Sequence, residues 1–193
     1  YAGMGEEEEL FLEVTAEDVP NLEEIAPFAL SDEFSGPAYS YQLNGVMYNT
    51  DELSAEEAQS WDLYGDDSFS QQLALPDISV TAGQLMVSGV ADAYGSGPYD
   101  VDTAFETLHE WAPNILQFYS STTELTNLLT QGEIVAGDAL NGFATQLIAD
   151  GEPIAWAAPD EGKYMATNRA MVTVGAENVD GAHEFIDYLL SAE

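Results

Sequence analysis

From residue 71 onward, short apolar runs alternate with amphipathic stretches, and this rhythm does most to limit the fold. Residues 71–79 (QQLALPDIS) read as a strand, and 81–94 as a helix with Leu85, Met86, Val90 and Tyr94 near helical spacing. In 100–114, Val101, Ala104, Phe105, Leu108 and Trp111 share one helical face. A strand at 115–120 precedes a helix at 121–132, which Gly132 closes. A strand at 133–140, a helix at 141–151 and strands at 153–159 and 163–174 follow. The last segment, 178–193, is an amphipathic helix with Ala182, Phe185, Ile186, Leu189 and Leu190 expected inward. Strands alternating with helices of this length specify an α/β architecture.

The first third is less regular. Residues 6–9 (EEEE) read as a solvated helix start, and 10–27 as irregular chain with short helical turns around Pro20 and Pro27. Residues 38–50 read as a strand. Ser54 followed by Glu57 is a capping-box pattern and predicts a helix over 54–63, with a loop at 65–70.

Charge excludes whole classes of function. The chain carries 36 Asp+Glu against 2 Lys+Arg, a formal net charge of −34. Nucleic acid is excluded as a partner, because affinity there comes from basic side chains neutralising phosphates. Anionic lipid surfaces are disfavoured for the same reason. At 46% hydrophobic and 11% aromatic the chain is no disordered acidic tail. Adaptation to high salt and deliberate removal of basic residues both fit this charge, and the near-absence of Arg favours the second. The two cations, Lys163 and Arg169, are expected to pair with nearby acids.

No Cys is present, so there is no disulfide, thiol nucleophile or Cys-bound metal. The two histidines, His109 and His183, have no paired spacing, and no metal site is expected. No apolar run reaches the length of a membrane span, and the start, YAGMGEEEEL, lacks the basic and apolar regions of a signal peptide. Dinucleotide, P-loop and nucleophile-elbow motifs are missing, so neither catalysis nor a cofactor is expected. Among 36 acids, some pair will always resemble a glycosidase dyad, so such a pair carries no information.

Three strands end in polar residues directly before a helix: Asp77-Ile78-Ser79, Ser120-Ser121-Thr122 and Leu140-Asn141-Gly142. In open α/β sheets ligands gather at the carboxyl ends of strands, where helix N-termini offer free N–H groups. Asp77, Ser121 (with Glu124) and Asn141 also suit helix capping, and both roles can hold at one residue. Trp111 and Trp156 read as core aromatics, and Asp66-Asp67 as a loop with weak cation affinity at most.

The stretches VPNLEEIAPF (19–28), YSYQLNGVMYNTDEL (39–53), SWDLY (60–64), LALPDISVTAG (73–83), NILQFYSSTTELTNLLTQGEIV (114–135), LNGFA (140–144), PIAWAAPDEG (153–162) and AHEFIDYLLSAE (182–193) resemble, in order and spacing, the extracellular solute-binding proteins of ABC importers. The spermidine/putrescine-binding type is the nearest in pattern. The resemblance covers most of residues 19–193 and implies a periplasmic-binding-protein-like fold of two α/β lobes joined at a hinge. It implies a first-lobe remnant at 1–38, a second lobe with hinge-crossing strands at 39–174, its mixed sheet flanked by helices, and a first-lobe helix at 175–193. The strands and helices that open the family's first lobe have no match here.

The function so implied is capture of a small polar solute, polyamine-like or another organic cation or small metabolite, by hinge closure. The implied partners are that solute and an ABC permease in the membrane, with no direct membrane insertion. The implied state is a monomer, and the implied location periplasmic or extracellular. The alternative is a highly acidic scaffold, engineered or salt-adapted, with no retained ligand binding. The expected ligand contacts are Asp77, Ser79, Thr81, Ser120, Ser121 and Asn141 at strand ends, with Tyr41, Gln42, Asn44, Tyr164 and Asn168 on the hinge strands. Polyamine binders of the family carry Trp and Asp where this chain has Ala166 and Asn168, Trp where it has Leu140, and an acid where it has Thr81, which leaves the solute class open.

Overall fold

A computed structural model describes residues 2–162 and 164–191. Lys163 lies outside them, and with it the expectation for its charge. Two compact units form: Gln42–Ala166 is one, and the chain up to Tyr41 with everything from Thr167 on is the other.

The unit Gln42–Ala166 is built on a mixed sheet. Its strands are β2 (Ala38–Asn49, entering at Gln42), β3 (Leu73–Pro76), β4 (Ile115–Tyr119), β5 (Ala136–Leu140) and β6 (Ile154–Ala157), in the spatial order β4-β3-β5-β2-β6. β3 runs parallel to β4 and β5, and β2 runs antiparallel to β5 and β6. Alternation along the strands builds a core on each face. Val46, Tyr48, Leu73 and Leu75 point to one side, where α2 (Thr81–Tyr94) and α3 (Val101–Trp111) supply Met86, Val90, Ala104 and Trp111. Met47 and Ala74 point to the other, against Leu125 and Leu129 of α4 (Thr122–Thr130) and Ala144 of α5 (Gly142–Ala149).

Trp61 is fully buried in the first of these cores. A Cβ at Gly89 would overlap its ring, so α2 carries glycine where the indole lies against the helix backbone. Over 54–63 the capping bonds form, with Glu57 N–H donating to Ser54 Oγ and Ser54 N–H to Glu57 Oε2. The helix does not. The segment breaks into the 3-10 turns Glu57–Gln59 and Trp61–Gly65, because Trp61, Leu63 and Tyr64 must all turn inward. A third such turn, Asp67–Phe69, occupies the expected loop. On α3, Ala104 and Trp111 are buried as expected, whereas Val101 and Phe105 are about half exposed (48% and 54%).

The other unit is thinner. It holds α1 (Ala2–Glu7), a two-stranded sheet of β1 (Phe11–Leu12) and β8 (Val172–Thr173), two short 3-10 turns, and α6 (Val179–Leu190). β7 (Met165–Arg169) pairs with β2, and the expected long strand over 163–174 is broken before β8. The buried cluster consists of Val14, Val19, Leu22, Val172 and Ile186. Asn21 ties the first turn to α6, its N–H donating to Asp187 Oδ1 and its amide to the Asp187 carbonyl. Arg169 departs from its expected pairing with acids. Its guanidinium donates to the Gly36 carbonyl at 3.0 Å and lies 4.2 Å over the Phe34 ring. Partial burial pulls its pKa down, and Glu33 and Glu6 nearby push it up. Phe185 and Leu189 of α6, expected inward, are exposed (60% and 36%).

Candidate functional site

β4, β3 and β5 are neighbours, and the helices that follow them begin at Thr122, Thr81 and Gly142. Parallel strands bring their carboxyl ends to one edge, so three helix N-termini converge there. They enclose a hollow of about 210 Å³ bounded by Thr81, Ser120, Ser121 and Thr122, over an apolar wall that includes Tyr119, Leu140 and Phe143. The first-turn N–H groups of these helices have no intrahelical partner and add partial positive charge. Among the described residues, no carboxylate lines the hollow.

Much of the polar chemistry at its rim is already committed. Ser121 and Glu124 form a complete capping box. Glu124 Oε2 accepts from Ser120 N–H at 2.7 Å and Ser121 N–H at 3.1 Å, and these bonds, the Ser120 N–H foremost, hold its carboxyl below the usual range. Asp77 does not cap α2, whose N-cap is Val80. Its Oδ1 instead accepts from Ser79 N–H at 2.8 Å, and the Ser79 hydrogen bonds hold its carboxyl below the usual range. Asn141 makes no side-chain cap bond either. Its Oδ1 accepts from Leu43 N–H at 2.9 Å and its own N–H donates to the Leu43 carbonyl, fastening the end of β5 to β2.

Of the expected contacts, the hollow therefore gathers Thr81, Ser120 and Ser121. Gln42 stands close by, its carboxamide against Gly142 at the start of α5 and its Oε1 buried without a hydrogen-bond partner among the described residues. Asp77 and Ser79 lie at the end of β3 outside the lining, and Asn141 faces β2. Tyr164 sits on the α2 side, its hydroxyl donating to Asp92 at 2.7 Å and its ring stacked on Trp61. Burial, then Asp92, pushes its pKa up to about 12. Tyr41 and Asn168 belong to the other unit, where Tyr41 packs edge-on against Phe28 and Asn168 donates to Ser40 Oγ. A hollow of about 610 Å³ in that unit is edged by Glu6, Glu13, Asp32 and Glu33, but Glu6 is already engaged by the Ser35 N–H and hydroxyl.

Asn44 is the clearest departure: it is 1% exposed, with Nδ2 donating to Asp138 Oδ2 at 3.0 Å. Asp138 is fully buried on the α2 face, and among the described residues Asn44 Oδ1, Asp138 Oδ1 and Tyr64 Oη have no hydrogen-bond partner. Burial pushes the Asp138 carboxyl well above the usual range, with Asn44 and the Trp61 indole pulling the other way. The signal for this residue was a single acid inside the apolar run 134–140. Of the hollow's apolar wall, only Leu140 was marked in advance, as the strand-end position where polyamine binders of the family carry Trp; Tyr119 and Phe143 sit inside the strand 115–120 and the helix 141–151 with nothing to set them apart from their neighbours. Among the described residues no cluster of three or more His, Asp or Glu could hold a metal ion, and no helix is long and apolar enough to cross a membrane.

Comparison with known proteins bears directly on this arrangement. The profile of the family described as "Bacterial extracellular solute-binding protein" matches residues 4–193. Spermidine/putrescine-binding periplasmic protein 1 of Haemophilus influenzae is 26% identical over 189 residues, covering 95% of this chain and 52% of the relative. The spermidine/putrescine-binding periplasmic protein of Salmonella typhimurium is 24% identical over 165 residues, covering 85% and 47%. The chain thus spans about half the length of the curated relatives it matches. Among solved structures, an ABC transporter protein of Clostridium perfringens superposes with a TM-score of 0.81 at 30% identity, over 98% of this chain and 61% of its own.

Proposed function

The chain belongs to the bacterial extracellular solute-binding protein family, and we propose that it acts as part of the solute-capturing component of an ABC importer outside the cytoplasmic membrane. The solute is small and polar, polyamine-like or another organic cation or small metabolite, and a membrane permease receives it. The role is binding, with no chemical step. One observation carries this reading: the N-termini of α2, α4 and α5 open onto a single hollow at the carboxyl ends of three neighbouring strands. The hollow's volume suits one end of a small solute rather than a whole drug-sized ligand.

A second reading of the solute class has its own support. Ammonium groups call for carboxylates, yet this wall offers hydroxyls and helix N–H groups. That chemistry favours a solute rich in hydrogen-bond acceptors, such as a polyol, carboxylate or phosphate ester.

Thermal unfolding of the 193-residue chain with spermidine, putrescine, neutral sugars, citrate and sugar phosphates separates the two. A ligand at a hundred times its Kd stabilises the fold by about 2.7 kcal/mol, a shift of several degrees. A polyamine shift supports the first solute class. A shift with acceptor-rich solutes, lost in Thr81→Val, supports the second. No shift with any of them overturns the binding role for this chain.

A further inference from the structure

The interior of the sheet unit holds polar groups that an apolar core does not account for. Trp61, Tyr64 and Asp138 are fully buried and Asn44 is 1% exposed. Each carries one buried polar atom that, among the described residues, has no hydrogen-bond partner: Trp61 Nε1, Tyr64 Oη, Asp138 Oδ1 and Asn44 Oδ1. Such atoms are rare, because each gives up its bonds to water on folding. Several in one core call for a common explanation.

The backbone brings them together. Val46 of β2 stands opposite Asp138 of β5, so Asn44, two residues from Val46, shares the same face. Asn44 Nδ2 donates to Asp138 Oδ2 at 3.0 Å, which leaves the other oxygen of each side chain without a protein donor. Trp61 and Tyr64 stand three apart in the 3-10 turn Trp61–Gly65, where residues at that spacing eclipse one another. Asn114 holds this turn in place, its Nδ2 donating to the Tyr64 carbonyl at 3.0 Å. Burial raises the Asp138 pKa, and after Asn44 the Trp61 indole draws it back without a direct hydrogen bond. Burial, then Asp138, raises that of Tyr64. These couplings put the polar ends of both aromatic side chains near the Asp138 carboxyl.

The hydrogen-bond inventory selects the ligand. The indole N–H and the Tyr64 hydroxyl donate, and the Asn44 carbonyl and the Asp138 oxygen accept. The guest must therefore accept twice and donate twice, which is what a water molecule does. A metal ion would face the indole N–H and find three oxygens, where hard cations take about six or more. An ammonium ion only donates, and would leave Trp61 and Tyr64 unanswered. An anion would sit against the Asp138 carboxyl.

We propose that Asn44, Trp61, Tyr64 and Asp138 form an internal binding site for one water molecule. The water accepts from Trp61 Nε1 and Tyr64 Oη and donates to Asp138 Oδ1 and Asn44 Oδ1. It fastens the turn Trp61–Gly65 to β2 and β5 through side chains that do not all bond directly. The site is independent of the hollow and of which solute is bound there.

A high-resolution crystal structure of the unmodified 193-residue chain is the first test. The expected result is a density peak at about 2.7–3.2 Å from at least three of the four atoms. Oxygen-17 relaxation dispersion then counts internal waters of long residence in solution. Asn44→Leu with Asp138→Leu replaces both acceptors by apolar groups of similar size and is expected to lose one such water. Tyr64→Phe keeps the ring, removes one donor and is expected to shorten that water's residence. If the double variant does not fold, the crystal structure and Tyr64→Phe decide. The proposal is overturned by the four atoms bonding one another or another side chain directly with no peak between them. It is also overturned by a peak at about 2.4 Å, the distance of a bound cation. An unchanged water count in the folded double variant, or an unchanged residence in Tyr64→Phe, overturns it as well.

Discussion

The sheet unit Gln42–Ala166 and the unit around α6 hold helices of similar length by different means. α2 buries Ala82, Gly83, Met86, Gly89, Val90 and Ala91 against a sheet that is itself covered on its far side. α6 buries Ile186 alone and is tied by Asn21 to Asp187. An amphipathic helix is only as stable as the surface it meets, since burial rather than propensity supplies most of its stability. The contrast teaches that the same apolar periodicity yields a core where the partner layer is present and an open face where it is not.

The largest expected effect breaks the contrast outright. Trp61→Ala removes a fully buried side chain from the α2 face and is expected to cost about 3–5 kcal/mol, measured by urea unfolding. In hydrogen exchange it strips protection from α2 and leaves α6 amides as they were. Faster exchange in α2 than in α6 for the unmodified chain would overturn the contrast itself.

Next in size is the pH response of the sheet unit. Asp138 has a folded pKa raised above its unfolded value by burial. Its contribution to stability is fully present below the ordinary carboxylate range and is lost as pH rises toward the raised value. Across that interval each pH unit costs the folded state about 1.4 kcal/mol. Asp138→Asn removes this loss and offers an N–H donor to the unpartnered Asn44 Oδ1. Melting curves between pH 4 and 8 should show the variant gaining on the unmodified chain as pH rises, and parallel curves would refute the buried-carboxyl account.

The smallest effect sits at the hollow. Ser121→Ala removes a cap hydroxyl, at about 1 kcal/mol. It frees Glu124 from one side of the capping box next to the hollow, so any solute-induced shift should fall more than the intrinsic midpoint does.

How much of this could be read in advance varies with the range of the interaction. The span of α2 follows directly from the residues, and the Ser121–Glu124 box was legible because its partners stand three apart. Asp77 and Asn141 carried the same capping signature but found other partners. Asp77 closed a turn on Ser79, and Asn141 bonded Leu43 across 98 residues of chain. Ser54 and Glu57 made their local bonds, yet Trp61 and Tyr64 overrode the helix they announced.

The residues by themselves determined the α/β alternation, the helix starts at strand ends and the family likeness, because each depends on local spacing or aligned motifs. Tertiary structure alone decided which side of β2 was interior, and so sent Asn44 to the buried Asp138 rather than to a rim. It also turned Phe185 outward. Strand parity and helix phase define two faces, and only the layers packed against them determine which is covered.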